Sequence, residues 1–205
     1  MPRTAKITRE QLLAAALAIV DAEGLAALSM RRLGQRLGVE AMSLYNHVPD
    51  KAAVLDAVHE AVLAELELPE LSGDWRRDAS ALAHAFRRTL LAHPHAALLF
   101  AERPAMTPGS LAHVERALEI LRPGFPRLRD RIAIVQVVVA YVVGHVAQNL
   151  PHPELRRPDY AALGRQRFPN LRGVERAVAD YDVEAEFEFG LAALLRGLTP
   201  RRRPR

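Results

Sequence analysis

Glycine and proline stops cut the first fifty residues into helices too short to stand alone, so these segments must pack on one another. "ITREQLLAAALAIVDAEG" opens with Thr8 as an N-cap and Gln11 three residues on, the capping-box spacing, and Gly24 ends it. Its period places Leu13, Ala16, Leu17 and Val20 on one face. After "LAAL", Ser29 can cap a compact helix, "MRRLGQRLG", with Leu33 and Leu37 one turn apart and Gly38 closing it. A third helix starts at Val39 or Glu40 and is stopped by Pro49 and Asp50. Asp50 can in turn cap a fourth, "KAAVLDAVHEAVLAELEL", in which Val54, Leu55, Val58 and Val62 repeat at helical spacing.

The rest of the chain also reads helical, at 75–93, 108–121, 128–150, 171–181 and 183–198, separated by proline-rich turns. No segment alternates with period two, so the expected class is all-α. The expected organisation is a helix-turn-helix unit over 1–52, a linking helix over 51–68, a helical domain over 69–199 and a basic tail over 200–205. With 205 residues, half of them apolar, a sizeable core needs no staples, and there is no cysteine to form a disulfide or a thiolate metal site. The apolar run "IAIVQVVVAYVVGHVA" falls short of the about 20 residues of a spanning helix and carries Gln136 and His145, so it reads as a buried or interface helix. No secretory signal is recognised at the N-terminus, and a cytoplasmic location is expected.

"GVEAMSLYNHVPDK", residues 38–51, carries the first functional signal. A helix, a glycine turn and a second short helix make the helix-turn-helix arrangement, whose second helix enters the DNA major groove. If Leu44 and Val48 face inward, then Met42, Ser43, Tyr45 and Asn46 face outward or to the flanks. Ser43 can donate to a phosphate or to a base edge, Tyr45 and His47 can donate to phosphate, Asn46 can bond phosphate or adenine, and Ala41 and Met42 can press on a thymine methyl. Lys51 adds charge at a helix start, Arg31 on the preceding helix can reach guanine or phosphate, and Ser29 at its N-cap is placed for phosphate. A partly packed helix surface, with Ser29 as a simple cap and His47 as an end seal, is the competing reading. The three-helix layout with both glycine stops and the outward polar set together favours DNA.

"LSMRRLGQRLGVEAMSLYNHVPDKAAVLDAV", residues 28–58, resembles the DNA-binding region of the tetracycline-repressor family, with Gly38, Val39, Ser43, Leu44, Tyr45, His47, Val48 and Lys51 matching its pattern. "SGDWRRDASALAHAFRRTLLAHPHAALLFAERP" and "EFEFGLAALLRGL" are similar, more loosely, to that family's effector-binding and dimerisation half. The resemblance implies that Ser43, Tyr45, His47 and Lys51 hold the DNA backbone and that Arg31 reads a base. Ala41, Met42 and Asn46 depart from the tetracycline repressors, which implies a different operator. Leu99, Glu102 and Gln148 stand where those repressors bind magnesium–tetracycline, so no metal or cofactor is expected.

In the back half, Val135, Val138, Val139, Val142 and Val146 form one helical stripe, and Phe187, Leu191, Leu194 and Leu195 form another. Periodicity alone leaves them equally suited to an intramolecular core or a four-helix dimer interface; the resemblance favours a homodimer through 128–150 and 183–198. A mostly apolar pocket for a small apolar or amphipathic effector would draw on Phe86, Leu99, Phe100, Met106, His113, Gln136, Tyr141 and His145. Histidine clusters at 93–95 and 151–153 raise an enzyme as an alternative, but no HExxH, P-loop or GxSxG motif accompanies them. A helical adaptor that binds only protein would leave the outward Ser-Tyr-Asn-His set unexplained. The expected function is a ligand-responsive homodimeric repressor of a palindromic operator.

Overall fold

The computed structural model describes residues 7–150, 159, 160, 162 and 166–199. Arg3, Lys6, His152 and the basic tail 200–205 lie outside them. Every regular element among the described residues is helical. Helix α1, Arg9–Glu23, starts with the expected capping box: Gln11 N donates to Thr8 Oγ1 at 3.2 Å and Thr8 N donates to Gln11 Oε1 at 3.0 Å. Its buried face is Leu12, Ala15, Ala16, Ile19 and Val20, rotated from the expected one, with Leu13 and Leu17 at the flank. "LLAAALAIV" is apolar all round, so its period leaves the rotation open and the packing of α1 on its neighbours selects it.

Helix α2, Met30–Leu37, is capped by Ser29, whose Oγ accepts from Arg32 N at 3.1 Å. The Arg32 guanidinium reaches back to the Glu23 carboxylate at the end of α1, with Nε at 3.1 Å. Helix α3 covers only Ala41–Leu44, and the chain then turns through 45–47, shorter than the expected run to Pro49. Asp50 caps helix α4, Lys51–Ala64, by accepting from Ala53 N at 2.8 Å. Leu12, Ile19, Leu33, Leu44, Val54 and Val58 fill the space between these four helices and are essentially inaccessible to water.

Asp78 fixes the turn into the back half by accepting from the Ser72 hydroxyl at 2.6 Å and from the backbone N–H groups of Ser72 and Gly73. These hydrogen bonds, led by that from the Ser72 side chain, hold its carboxyl below the usual range. There follow α5, Trp75–Ala92; α6, Leu99–Glu102; α7, Pro108–Leu121; α8, Leu128–Gln148; α9, Val174–Ala179; and α10, Val183–Gly197. Helix α5 is central, packing on α4, α7, α8 and α10, while α4 packs both on α1 and on α5, α6 and α7.

Helix α8 is long and apolar enough, by length and composition, to cross a membrane, longer than the apolar run alone suggests. Its inner side and that of α10 correct the reading of the two stripes as dimer contacts. Val142, Val146, Phe187, Leu191 and Leu195 are buried within the chain, and Val135, Val138, Val139 and Leu194 pack against the same core. The outer sides instead carry Ile132 and Val137 on α8 and Phe189 on α10, the last 73% exposed. Both helices are apolar on more than one side, which a single stripe in the sequence does not reveal.

One buried histidine joins the two halves. His93, at the end of α5, has Nδ1 3.0 Å from both Asp21 carboxylate oxygens on α1 and Nε2 3.0 Å from Glu65 at the end of α4. The neighbouring His95 meets the Asp21 carbonyl oxygen at 2.9 Å. With a carboxylate at each ring nitrogen, the imidazolium satisfies both partners. Burial opposes the charge, but the hydrogen bonds to Glu65 and Asp21 outweigh it and raise the His93 pKa above the ordinary imidazole value. A raised folded-state pKa gives stability that is complete below the unfolded value and lost as the pH rises through the folded one. The stability gap between the wild type and His93→Gln, measured by denaturant unfolding, is therefore expected to be wide at about pH 5.5 and to narrow towards about pH 9. An equal gap at both would contradict the charged bridge.

Candidate functional site

The front of the molecule is built by two glycines. Gly38 closes α2 in the left-handed region, at φ +68°, where a side chain is strained. Gly34 permits the close crossing of α2 and α3: a Cβ there would lie 2.8 Å from the Val39 carbonyl oxygen and 3.1 Å from Ala41 N. Those neighbours are backbone and cannot swing aside. Leu44 and Val48 anchor the segment inward, at 0% and 2% exposure.

This anchoring turns the expected residues outward. Met42 is 73% exposed, Tyr45 is 45% exposed, Ser43, Asn46 and Lys51 are exposed, and Ala41 and His47 are half-buried. Arg31 is exposed on α2, and Ser29 is exposed while it caps that helix. Among the described residues, the side chains of Arg31, Ser43, Tyr45, Asn46, His47 and Lys51 have no hydrogen-bonding or ionic partner. Arg32, one residue from Arg31, is committed to Glu23. The surface thus presents solvent-facing donors that no other described residue engages, around an exposed apolar tip.

Behind it lies a cavity of about 380 Å³ between α4, α5, α7, α8 and the segment 100–105. Of the expected pocket residues, Phe86, Phe100, His113 and Gln136 line it. Leu99, Met106, Tyr141 and His145 are not part of its lining. Leu99 is 1% exposed in the core, while Met106 is 63% exposed, just before the Thr107 cap of α7. Tyr141 joins α8 to α10, stacking on Phe187 at 5.5 Å and donating its hydroxyl to the Phe187 carbonyl oxygen at 2.8 Å. His145 meets the same ring edge-on at 5.0 Å. Helical period alone does not separate the inward residues that line the hollow from those that fill the helix contact.

The lining also contains residues the sequence reading did not single out. His59 of α4 tilts onto Phe100 with ring centres 4.2 Å apart, and Phe86 meets Phe100 edge-on at 5.3 Å. Arg103 lines the same space but is tied to Asp56 Oδ1 through Nε at 2.9 Å and Nη2 at 2.7 Å. The available signal for His59 was an imidazole inside the apolar stripe of α4. Glu102 also lines the cavity, whereas Gln148 is exposed at the far end of α8.

The comparisons with known proteins agree with both halves. Residues 12–58 match "Bacterial regulatory proteins, tetR family", and residues 68–202 match "Tetracyclin repressor-like, C-terminal domain". The chain belongs to the tetracycline-repressor family. A transcriptional regulator of the helix-turn-helix type from Saccharopolyspora erythraea is 35% identical over 94% of this chain and 84% of its own length. The class D tetracycline repressor from Escherichia coli is 30% identical over 94% of this chain and 89% of that protein. The structure of ActR from Streptomyces coelicolor in complex with actinorhodin matches with a TM-score of 0.80 and 30% identity, covering 94% of this chain and 97% of that one.

This tetracycline-repressor relative is a transcriptional regulator, not an enzyme, of a family whose members bind operator DNA and small effectors and dimerise. Its reading surface depends on the α2–α3 crossing. Gly34→Ala is expected to cost about 1–3 kcal/mol of stability in urea unfolding, as overpacking against fixed backbone does. Unchanged stability would mean that the crossing has slack.

Proposed function

We propose that this protein represses transcription from a palindromic operator, gripping DNA through Ser29, Arg31, Ala41, Met42, Ser43, Tyr45, Asn46, His47 and Lys51. A small apolar or amphipathic effector in the cavity releases it. The observation that carries this reading is the row of uncommitted side chains on and just after α3, turned outward by the buried Leu44 and Val48. Residues 1–52 act as the DNA-binding unit, 51–68 as the link, 69–199 as the effector and dimer unit, and 200–205 as a basic tail. The protein works in the cytoplasm on the chromosome.

The roles divide by chemistry. Ser43, Tyr45, His47 and Lys51 serve the phosphates, which carry affinity but no sequence. Arg31 of α2, Ala41 and Met42 of α3, and Asn46 in the turn that follows it, meet base edges, where specificity is read. In a two-fold dimer, two copies of α3 enter successive major grooves about 34 Å apart. The exposed Ile132, Val137 and Phe189 give α8 and α10 an apolar surface for a partner copy to cover. An effector weakens binding only if it prefers the dimer geometry that mismatches those grooves.

Fluorescence anisotropy with the cognate operator and point variants of it tests this division. Lys51→Ala is expected to weaken binding to all of them alike and to lower the salt slope by about 1. Tyr45→Phe is also expected to weaken all of them. Met42→Ala is expected to lose about 1 kcal/mol or more of discrimination at one base position. A uniform loss in all three variants would contradict the assignment of Met42 to base reading.

A further inference from the structure

The end of the back half farthest from α3 gathers arginines from three elements. Trp75 opens α5 there and packs edge-on against Phe125, ring centres 4.9 Å apart, in the turn between α7 and α8. A Cβ on Gly124 would lie 2.6 Å from Trp75 Nε1, so this turn rests directly against the start of α5. Arg76 lies 4.3 Å over the Trp75 ring and donates through Nη2 to the Leu198 carbonyl oxygen at 3.2 Å, which brings in the end of α10. Around this junction Arg76, Arg77, Arg122, Arg127 and Arg129 are all exposed.

Helix electrostatics do not explain these positions. Arg76 and Arg77 stand in the first turn of α5, Arg127 is the N-cap of α8 and Arg129 stands in its first turn, where the positive end of the helix dipole disfavours a cation. The carboxylates nearest to them in sequence are already taken. Asp74 accepts from the backbone N–H groups of Arg76 and Arg77 as the cap of α5, and Asp78 is buried and accepts from Ser72 and Gly73. Arg129 meets Asp130 at 3.5 Å, while the side chains of Arg77, Arg122 and Arg127 have no hydrogen-bonding or ion-pair partner among the described residues.

A partner for this surface must bring many negative charges and needs no apolar anchor. The large apolar side chains exposed nearby on α8, Leu128 and Ile132, lie one turn apart and continue the surface of α8 that a second copy covers. The arginines are left without the central aromatic or aliphatic anchors on which protein interfaces depend. A phosphate backbone asks only for such cations, and the arginine fork matches its oxygens two at a time. Position sets which backbone this is. The front unit meets α5 at its other end, where His93 bonds to Asp21, about 27 Å along the helix from Trp75. The two-fold axis that sets both copies of α3 on one operator passes through that operator, so the arginine surfaces of both copies lie on the side away from it.

We propose that this arginine surface holds a second segment of duplex DNA by its phosphates, so that one dimer bridges its operator to DNA of unrelated sequence. The proposal rests on the reading of α3 as the operator-binding element.

Capture of a second duplex by the operator complex tests it. The full chain is saturated with the operator recovered by selection from random duplexes, and a labelled duplex of unrelated sequence is added at about 100 mM salt. Sedimentation is expected to show one dimer carrying both duplexes, with the second lost as the salt concentration rises. The combined Arg122→Gln, Arg127→Gln and Arg129→Gln variant is expected to capture the second duplex at least about tenfold more weakly. Its operator affinity is expected to be unchanged, which also shows that it is folded. Lys51→Ala, once saturated with operator, is expected to capture the second duplex as the wild type does. An operator complex that captures no second duplex, or a triple variant that captures it undiminished, overturns the proposal. So does poly-L-glutamate that displaces the second duplex as well as unlabelled DNA does, which would make an acidic protein the partner. If the chain binds no operator, the reading of α3 fails before the second duplex is added, and the bridge fails with it.

Discussion

Helix α4 is held from two sides, and the link between the two halves depends on it. One side packs on α1 within the DNA-facing unit, and the other contributes His59 and Leu63 to the cavity. Its first turn is fixed by the Asp50 cap, immediately after the segment that carries Tyr45, Asn46 and His47. Its far end is tied through Glu65 to His93, which also holds Asp21 of α1. A packed helix of this kind moves as a unit, so a ligand that displaces the cavity end of α4 also shifts α3 relative to the back half. By thermodynamic linkage such a coupling is reciprocal: if a ligand in the cavity shifts the reading helices, fixing those helices on DNA biases the cavity equally.

The back half solves a different problem. Helices α8 and α10 bury one side within the chain and carry further apolar residues on another, where a second copy can pack; α8 is apolar almost all round beyond its first turn, whereas α10 interleaves Glu184, Glu186 and Glu188 with its apolar residues. Tyr141 locks the pair by filling the space over Gly190, where a Cβ would come within contact of its ring, and by bonding to the Phe187 carbonyl. Arg87 supports the same place with a two-pronged pair to Glu184 while lying 4.4 Å over the Phe187 ring. These fastenings hold the outer residues Val137 and Phe189 on a firm base. In such an arrangement, dimer geometry and cavity shape share α8, whose Val135, Val138 and Val139 line the cavity.

Local chemistry was legible in the sequence wherever it was decided locally. Thr8 with Gln11, Ser29, Asp50 and Gly38 each act within a few residues of themselves, and their caps and turns stand where their spacing put them. The outward set on α3 followed from Leu44 and Val48, because two inward anchors fix the rotation of a short helix. The rotation of α1 did not follow, since an evenly apolar helix can bury more than one face. Long-range pairings were invisible for the same reason: Asp21, Glu65 and His93 meet only after three helices have packed. The cavity was half legible. Phe86, Phe100, His113 and Gln136 line it, but Tyr141 and His145 belong to a helix contact that only the fold distinguishes from it.

Selection of random duplex DNA by the purified protein at moderate salt tests the central claim most directly. A dimer that presents two copies of α3 to one face of the duplex predicts enrichment of a palindrome whose half-sites lie about one helical turn apart. Binding without sequence enrichment, vanishing as the salt concentration rises, would contradict it and reduce the outward surface to a nonspecific phosphate contact.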